Sequence, residues 1–140
     1  MRDKLFDQGM KIRRKVLGAE YVDKQFSNID EFTLPFQELA TKTAWALVWA
    51  RPGLSLKARS MINIAMLVAI GKADEIELHV AAAQRNGVTK DEIREILMQT
   101  AIYCGFPAAL NGFRSARKFF EAHAQAEPAK TPARARRRKR

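Results

Sequence analysis

Glu75 and His79 stand four residues apart, so on a helix a carboxylate and an imidazole face each other across one turn. A carboxylate neighbour favours the protonated ring, which makes His79 a usable acid near neutral pH; the plainer role is a helix histidine with its hydrogen bonds met. Arg51 and Arg59 lie upstream. Their planar guanidinium groups suit two-point binding of a carboxylate, although snorkelling or capping of helix ends is the everyday use of such residues. Lys72 is a further cation just before Glu75 on the helix, placed to neutralise a second anionic group. Asn63 interrupts the apolar run of residues 61–70 and needs a partner there, either a buried backbone group or a ligand. Trp45, Trp49 and Tyr103 are large enough to wall a pocket, and equally suited to a core or a subunit interface. A metal site built on Glu75 and His79 lacks further ligands, because the only other histidine is His123, close to the C-terminal tail.

The elements that must position these groups read as helices. Residues 3–17 form a loose apolar stripe among basic residues and stop at Gly18. Residues 27–30 offer several capping side chains for a helix that carries Phe36, Leu39, Ala40, Thr43, Ala44, Leu47 and Val48 on its apolar face and ends at Pro52-Gly53. Ser55 caps a helix over residues 56–70 closed by Gly71, and a shorter helix over 74–85 is stopped by Asn86-Gly87. Thr89 and Glu92 have the spacing of a capping box; behind them Ile93, Ile96, Leu97, Thr100, Ala101 and Cys104 recur at helical intervals. Gly105 and Pro107 separate that helix from a last one over 108–124. The expected fold is all-α, a single domain of about six helices.

Composition limits the function. With 140 residues, 47% hydrophobic and 29% charged, the chain has room for one domain with a real core and too much apolar content to be disordered throughout. The net charge of +10 suggests nucleic acid until its distribution is considered: residues 128–140 hold seven basic side chains and no acid. The folded domain is therefore assigned to residues 1–127, only mildly basic, and 128–140 to a disordered Arg-rich tail whose one candidate role is weak, salt-dependent contact with a polyanion. One cysteine, Cys104, allows no internal disulfide. The N-terminus has no apolar signal core and no apolar run reaches the roughly 20 residues of a membrane span, so a cytoplasmic protein without membrane contact is expected.

Particular residues then point to a family. Trp45, Trp49 and Arg51-Pro52-Gly53-Leu54, then Lys57-Ala58-Arg59-Ser60, Glu77-Leu78-His79, Asn86-Gly87-Val88-Thr89, Glu92-Ile93 and Tyr103-Cys104-Gly105-Phe106-Pro107-Ala108-Ala109 resemble the carboxymuconolactone decarboxylase family along about residues 5–122. The resemblance implies an alkylhydroperoxidase-like fold assembled into trimers or hexamers. Many proteins of that fold carry a Cys-x-x-Cys pair with a histidine four residues after its second cysteine. Here Lys72 and Glu75 stand at the cysteine positions and Ser60 stands where an upstream glutamate would be, so thiol chemistry is not implied.

What the resemblance implies instead is a lyase releasing CO2 from 4-carboxymuconolactone to give the enol-lactone of 3-oxoadipate, in the protocatechuate branch of aromatic catabolism. The substrate is an unsaturated lactone with two carboxylates; its ring conjugates the scissile bond to the lactone carbonyl, so no cofactor is expected. On that reading His79 is the proton donor oriented by Glu75, and Arg51, Arg59 and Lys72 hold carboxylates, with Trp45, Trp49, Met66 and Tyr103 lining the pocket. Two competing functions are a peroxidase or reductase of the same fold, with or without a part for Cys104, and a basic protein attaching to nucleic acid through its tail.

Overall fold

A computed structural model describes residues 3–124, so the tail assigned to 128–140 lies outside the described residues. Seven α-helices and one π-helical stretch are described, with no strand among these residues: α1 (Lys4–Leu17), α2 (Ala19–Ser27), α3 (Leu34–Ala40), the π segment (Thr41–Trp49), α4 (Leu56–Ala69), α5 (Ala73–Arg85), α6 (Lys90–Cys104) and α7 (Phe106–His123). No described helix is long and apolar enough to cross a membrane.

The local signals act as their chemistry dictates. Ser55 Oγ accepts the Ala58 N–H at 3.1 Å to start α4. Thr89 and Glu92 form the full capping box at the head of α6, by bonds of 3.1 and 2.8 Å. The end of α4 is a Schellman turn, in which Gly71 N–H reaches Val68 O at 3.1 Å and Lys72 N–H reaches Leu67 O at 2.9 Å. Gly71 adopts φ of +72°, which a side chain would resist, and so the chain reverses directly into α5.

α5 organises the interior because two cores meet on it. Ile76, Val80 and Ala83 join Ile64 and Val68 of α4, Ile93 and Leu97 of α6, and Ala116 and Phe119 of α7. Leu78 and Ala82 join a second cluster with Met10, Val16 and Leu17 of α1, Val22 of α2 and Trp45. At 100° per residue these two apolar faces leave a narrow strip between them, and Glu75 and His79 occupy it.

Two features depart from the expected helices. The chain between Gly18 and the residue 27–30 caps is itself a helix, α2. The apolar face expected over 36–48 is largely the solvent side: Phe36, Leu39, Leu47 and Val48 are exposed, whereas Thr41, Trp45 and Ala46 are buried. For Leu47 and Val48 the reason is the winding: through residues 41–49 the chain makes i→i+5 bonds, as in Ala50 N–H to Trp45 O at 3.0 Å, which brings Thr41 and Ala46, five residues apart, to the inward side.

This stretch packs against α1 more extensively than any other pair of elements pack together. The crossing is close at Gly9, where a Cβ would overlap the Thr41 carbonyl, a backbone atom that has no side-chain freedom with which to move aside. Gly9→Ala is therefore expected to cost about 1–3 kcal/mol in chemical denaturation, while Gly53→Ala, with open space around it, leaves the midpoint in place. Equal midpoints for the two variants would contradict the packing account.

Candidate functional site

The π segment brings two indole rings to one end of the second core. Trp45 is buried there, and Trp49 packs beside it with Leu56 and Leu78. Their ring centroids are 5.1 Å apart at 32°. The chain then crosses residues 51–55 and enters α4, on which Arg59 and Asn63 stand one turn apart and share a face.

Asn63 meets His79 across the α4/α5 contact, with Nδ2 2.8 Å from the imidazole Nδ1. A carboxamide nitrogen only donates, so Nδ1 accepts, and the proton of the neutral ring sits on Nε2. Nε2 in turn lies 3.9 Å from Glu75 Oε2. The side chains of His79 and Glu75 are 14% and 50% exposed, which decides the electrostatics. Burial pushes the imidazole below the ordinary histidine pKa, whereas the half-exposed carboxylate at this range is screened by water. The protonated ring expected from the Glu75–His79 spacing is thus disfavoured in the free protein.

Arg59, one turn before Asn63 on α4, is half-buried. Its Nη2 donates to the Arg51 carbonyl at 3.3 Å, and its Nε is buried with no hydrogen-bond partner. Arg51 enters the arrangement through that backbone oxygen, while its side chain faces solvent. Lys72 sits ahead of α5 as its capping residue, not on a turn of the helix, and is exposed. Tyr103 is 83% exposed and lines a separate groove between α4 and α6 with Ile62, Met66 and Cys104. The structure accordingly brings His79, Glu75 and Asn63 together, places Arg59 one turn before Asn63 on α4, sets Trp45 and Trp49 in the second core, and leaves Lys72 and Tyr103 apart. Asn63 has a partner that is neither backbone nor ligand but the imidazole itself. No group of three or more His, Cys, Asp or Glu residues suited to a metal ion occurs among the described residues.

Two further polar residues come from α1 and α2. Arg13 of α1 is half-buried; Nη1 donates to Thr41 Oγ1 at 3.1 Å, Nη2 to Gln37 Oε1 at 2.9 Å, and the guanidinium lies 5.2 Å from the Phe26 ring centroid. Tyr21 of α2 responds to two charges. Burial raises its phenol pKa, the Glu75 charge adds to that rise, and the Arg13 charge opposes it. The helical wheel of α1 carries a signal for Arg13, which lies four residues after Gly9, three after Met10 and three before Val16, in the middle of the buried stripe. Nothing in the sequence marks Tyr21.

A sequence model of the carboxymuconolactone decarboxylase family matches residues 35–118, which hold every member of the gathered cluster. The 4-carboxymuconolactone decarboxylase of Acinetobacter baylyi is 38% identical over 116 residues, covering 83% of this chain and 87% of that protein. Nitrosuccinic acid decarboxylase npaB of Metarhizium robertsii is 45% identical over 107 residues, covering 76% of this chain and 75% of its own. With more than half of its length matched by the family model and two decarboxylases aligned along most of it, the chain belongs to the carboxymuconolactone decarboxylase family, with the alkylhydroperoxidase-like helical fold of that family.

Proposed function

We propose that this protein is a decarboxylase acting on 4-carboxymuconolactone, releasing CO2 and the enol-lactone of 3-oxoadipate in protocatechuate catabolism without metal or organic cofactor. The observation that carries the reading is a buried imidazole, fixed by Asn63 with Nε2 turned toward Glu75, one turn of α4 from a half-buried guanidinium. Both named relatives support the class of reaction. Their substrates share a pattern: nitrosuccinic acid, like the lactone, is a dicarboxylate with an electron-withdrawing group beside a carboxylate.

The chemistry requires little beyond positioning. When the C–C bond to the carboxylate breaks, its electron pair passes through the ring double bond to the lactone oxygen, so the substrate is its own electron sink. Arg59 holds a carboxylate. A proton must then return to ring carbon, and a neutral imidazole is too weak an acid to give it. The anionic substrate changes that, since carboxylates brought against His79 favour the imidazolium. The second proton enters at Nδ1 when the Asn63 carboxamide turns to present Oδ1, and Nε2, facing the cleft, delivers its proton to carbon. Glu75 keeps the ring oriented and adds to the pull on the proton.

The protein also self-associates on this reading, as a trimer or hexamer. Ile62, Met66 and Ile70 run exposed along α4 next to the Arg59–Asn63 face, and Ile102, Tyr103, Phe106 and Leu110 are exposed at the junction of α6 and α7. Apolar surface of this extent marks an interface, and a neighbouring subunit on the α4 stripe closes the cleft against water. Light scattering is expected to give at least three times the mass of one chain, and a monomer at micromolar concentration would remove this part of the proposal.

For the reaction itself, purified protein is expected to release CO2 from the lactone at a rate unaffected by EDTA; loss of turnover on chelation counts against the cofactor-free mechanism. His79→Ala is expected to lower kcat by about 10²-fold or more, and an unchanged kcat removes His79 from the chemistry. Dependence on pH separates free from bound enzyme. Burial holds the free imidazole neutral to below its ordinary pKa of 6.5, so kcat/KM falls with rising pH through a value under 6.5, whereas kcat falls through a higher value because bound carboxylates favour the charged ring. Coincident limbs in the two profiles would contradict the mechanism.

A further inference from the structure

α4 and α5 form a hairpin of helices, closed at one end by the chain itself in the turn around Gly71. Two side-chain bonds cross the contact between them. Asn63 meets His79 at 2.8 Å, and toward the open end Asn86 Nδ2 donates to Ser60 Oγ at 2.9 Å. Ser60 and Asn63 are three residues apart, on one face of α4, and Asn86 follows His79 by seven residues, about two turns of α5.

The turn after α5 does not need an asparagine at position 86. Backbone groups make it: Asn86 N–H reaches Ala82 O at 3.0 Å, and Val88 N–H reaches Ala83 O at 2.9 Å. Asn86 itself sits at φ of −88°, a conformation open to any side chain, and Gly87 takes the positive φ. The Asn86 carboxamide is thus free to serve α4. Its acceptor is a hydroxyl in a dry place, since Ser60 is only 2% exposed. A buried bond of this kind is costly to lose, because it leaves a desolvated polar group unmatched.

The apolar residues shared by the two helices, Ile64 and Val68 with Ile76 and Val80, hold them together without fixing their height to a fraction of an ångström, because apolar burial has no direction. A hydrogen bond does depend on distance and angle. The nearby ion pair of Lys57 with Glu92, at 2.8 Å, ties α4 to α6 instead, and with side chains 40% and 36% exposed it is screened by water. The directional tie that can set α4 against α5 at the open end is therefore the one between Asn86 and Ser60.

We propose that Asn86 and Ser60 are positioning residues for His79: their bond closes the open end of the hairpin, holds Asn63 in register with the imidazole Nδ1, and so fixes the tautomer that carries its proton on Nε2. The role of that tautomer in catalysis rests on the decarboxylase reading, whereas the positioning itself is read without substrate.

The test uses the full chain, with imidazole nitrogen spectra and lactone turnover measured on the same preparations. In Asn86→Ala, and in Ser60→Ala, which removes one oxygen and keeps a helix-forming residue, the Nδ1 and Nε2 signals of His79 are expected to move toward each other as the two neutral tautomers mix. The double variant is expected to move them no further than either single one, since all three break the same bond. In each variant kcat is expected to fall about tenfold with KM changed much less. Gly9→Ala, which lowers stability at the α1 crossing instead, is expected to leave the His79 signals in place. Unmoved signals in both single variants overturn the proposal, as does an equal movement in Gly9→Ala, which would reduce the effect to general loosening. If the wild-type protein does not turn over the lactone but the signals move as described, the decarboxylase reading falls and the positioning role stands. Wild-type turnover with unmoved signals in the variants does the reverse.

Discussion

The bond between Asn63 and His79 spans the contact of α4 and α5, and the chemistry of the site depends on it. It takes an imidazole that sequence places one turn from a carboxylate and gives it one tautomer, one orientation and a donor-occupied Nδ1. The surrounding structure serves to make that bond possible. α5 is clamped between two hydrophobic clusters, and the strip left between its apolar faces holds Glu75 and His79 at the edge of both. The Schellman turn at Gly71 sets the angle at which α5 returns along α4, and so the register in which residue 63 meets residue 79.

On the proposed reading, competition between desolvation and a nearby charge keeps the site quiet without substrate. Glu75 alone, half in water, does not hold a proton on His79 against the cost of burying a charged ring. In the proposed mechanism an anionic ligand pressed into the same space adds charge where water has been excluded, and the balance reverses. Acid strength would then arise with binding, which suits a reaction in which the carbanionic carbon exists only while ligand is bound.

Much of the fold could be read from local chemistry. The capping box at Thr89, the Ser55 cap and the glycine stops at 71 and 87 act within a few residues of chain, and the structure has them where the sequence placed them. The one-turn spacing of Glu75 and His79 was equally local, and scattered residues from Trp45 to Ala109 pointed to the family that the comparisons show. What escaped notice was decided by tertiary contact. The π winding of residues 41–49 accompanies the close crossing with α1 at Gly9, and it turns outward Leu47 and Val48, which an α-helical wheel places inside. The depth of His79, the exposure of Lys72 and Tyr103, and the half-buried setting of Arg13 are likewise sums over several elements. For Arg13 the clue was present in the apolar stripe of α1, but a basic residue among five in one helix does not stand out until its neighbours are in place.

The central claim is that the free enzyme holds His79 neutral, with its proton on Nε2 because Asn63 donates to Nδ1. Long-range 1H–15N NMR correlation of the imidazole nitrogens near neutral pH measures this directly. The account predicts a protonated-type Nε2 and an unprotonated Nδ1, with titration only below the ordinary histidine range. A ring already doubly protonated at pH 7, or one carrying its single proton on Nδ1, would contradict it.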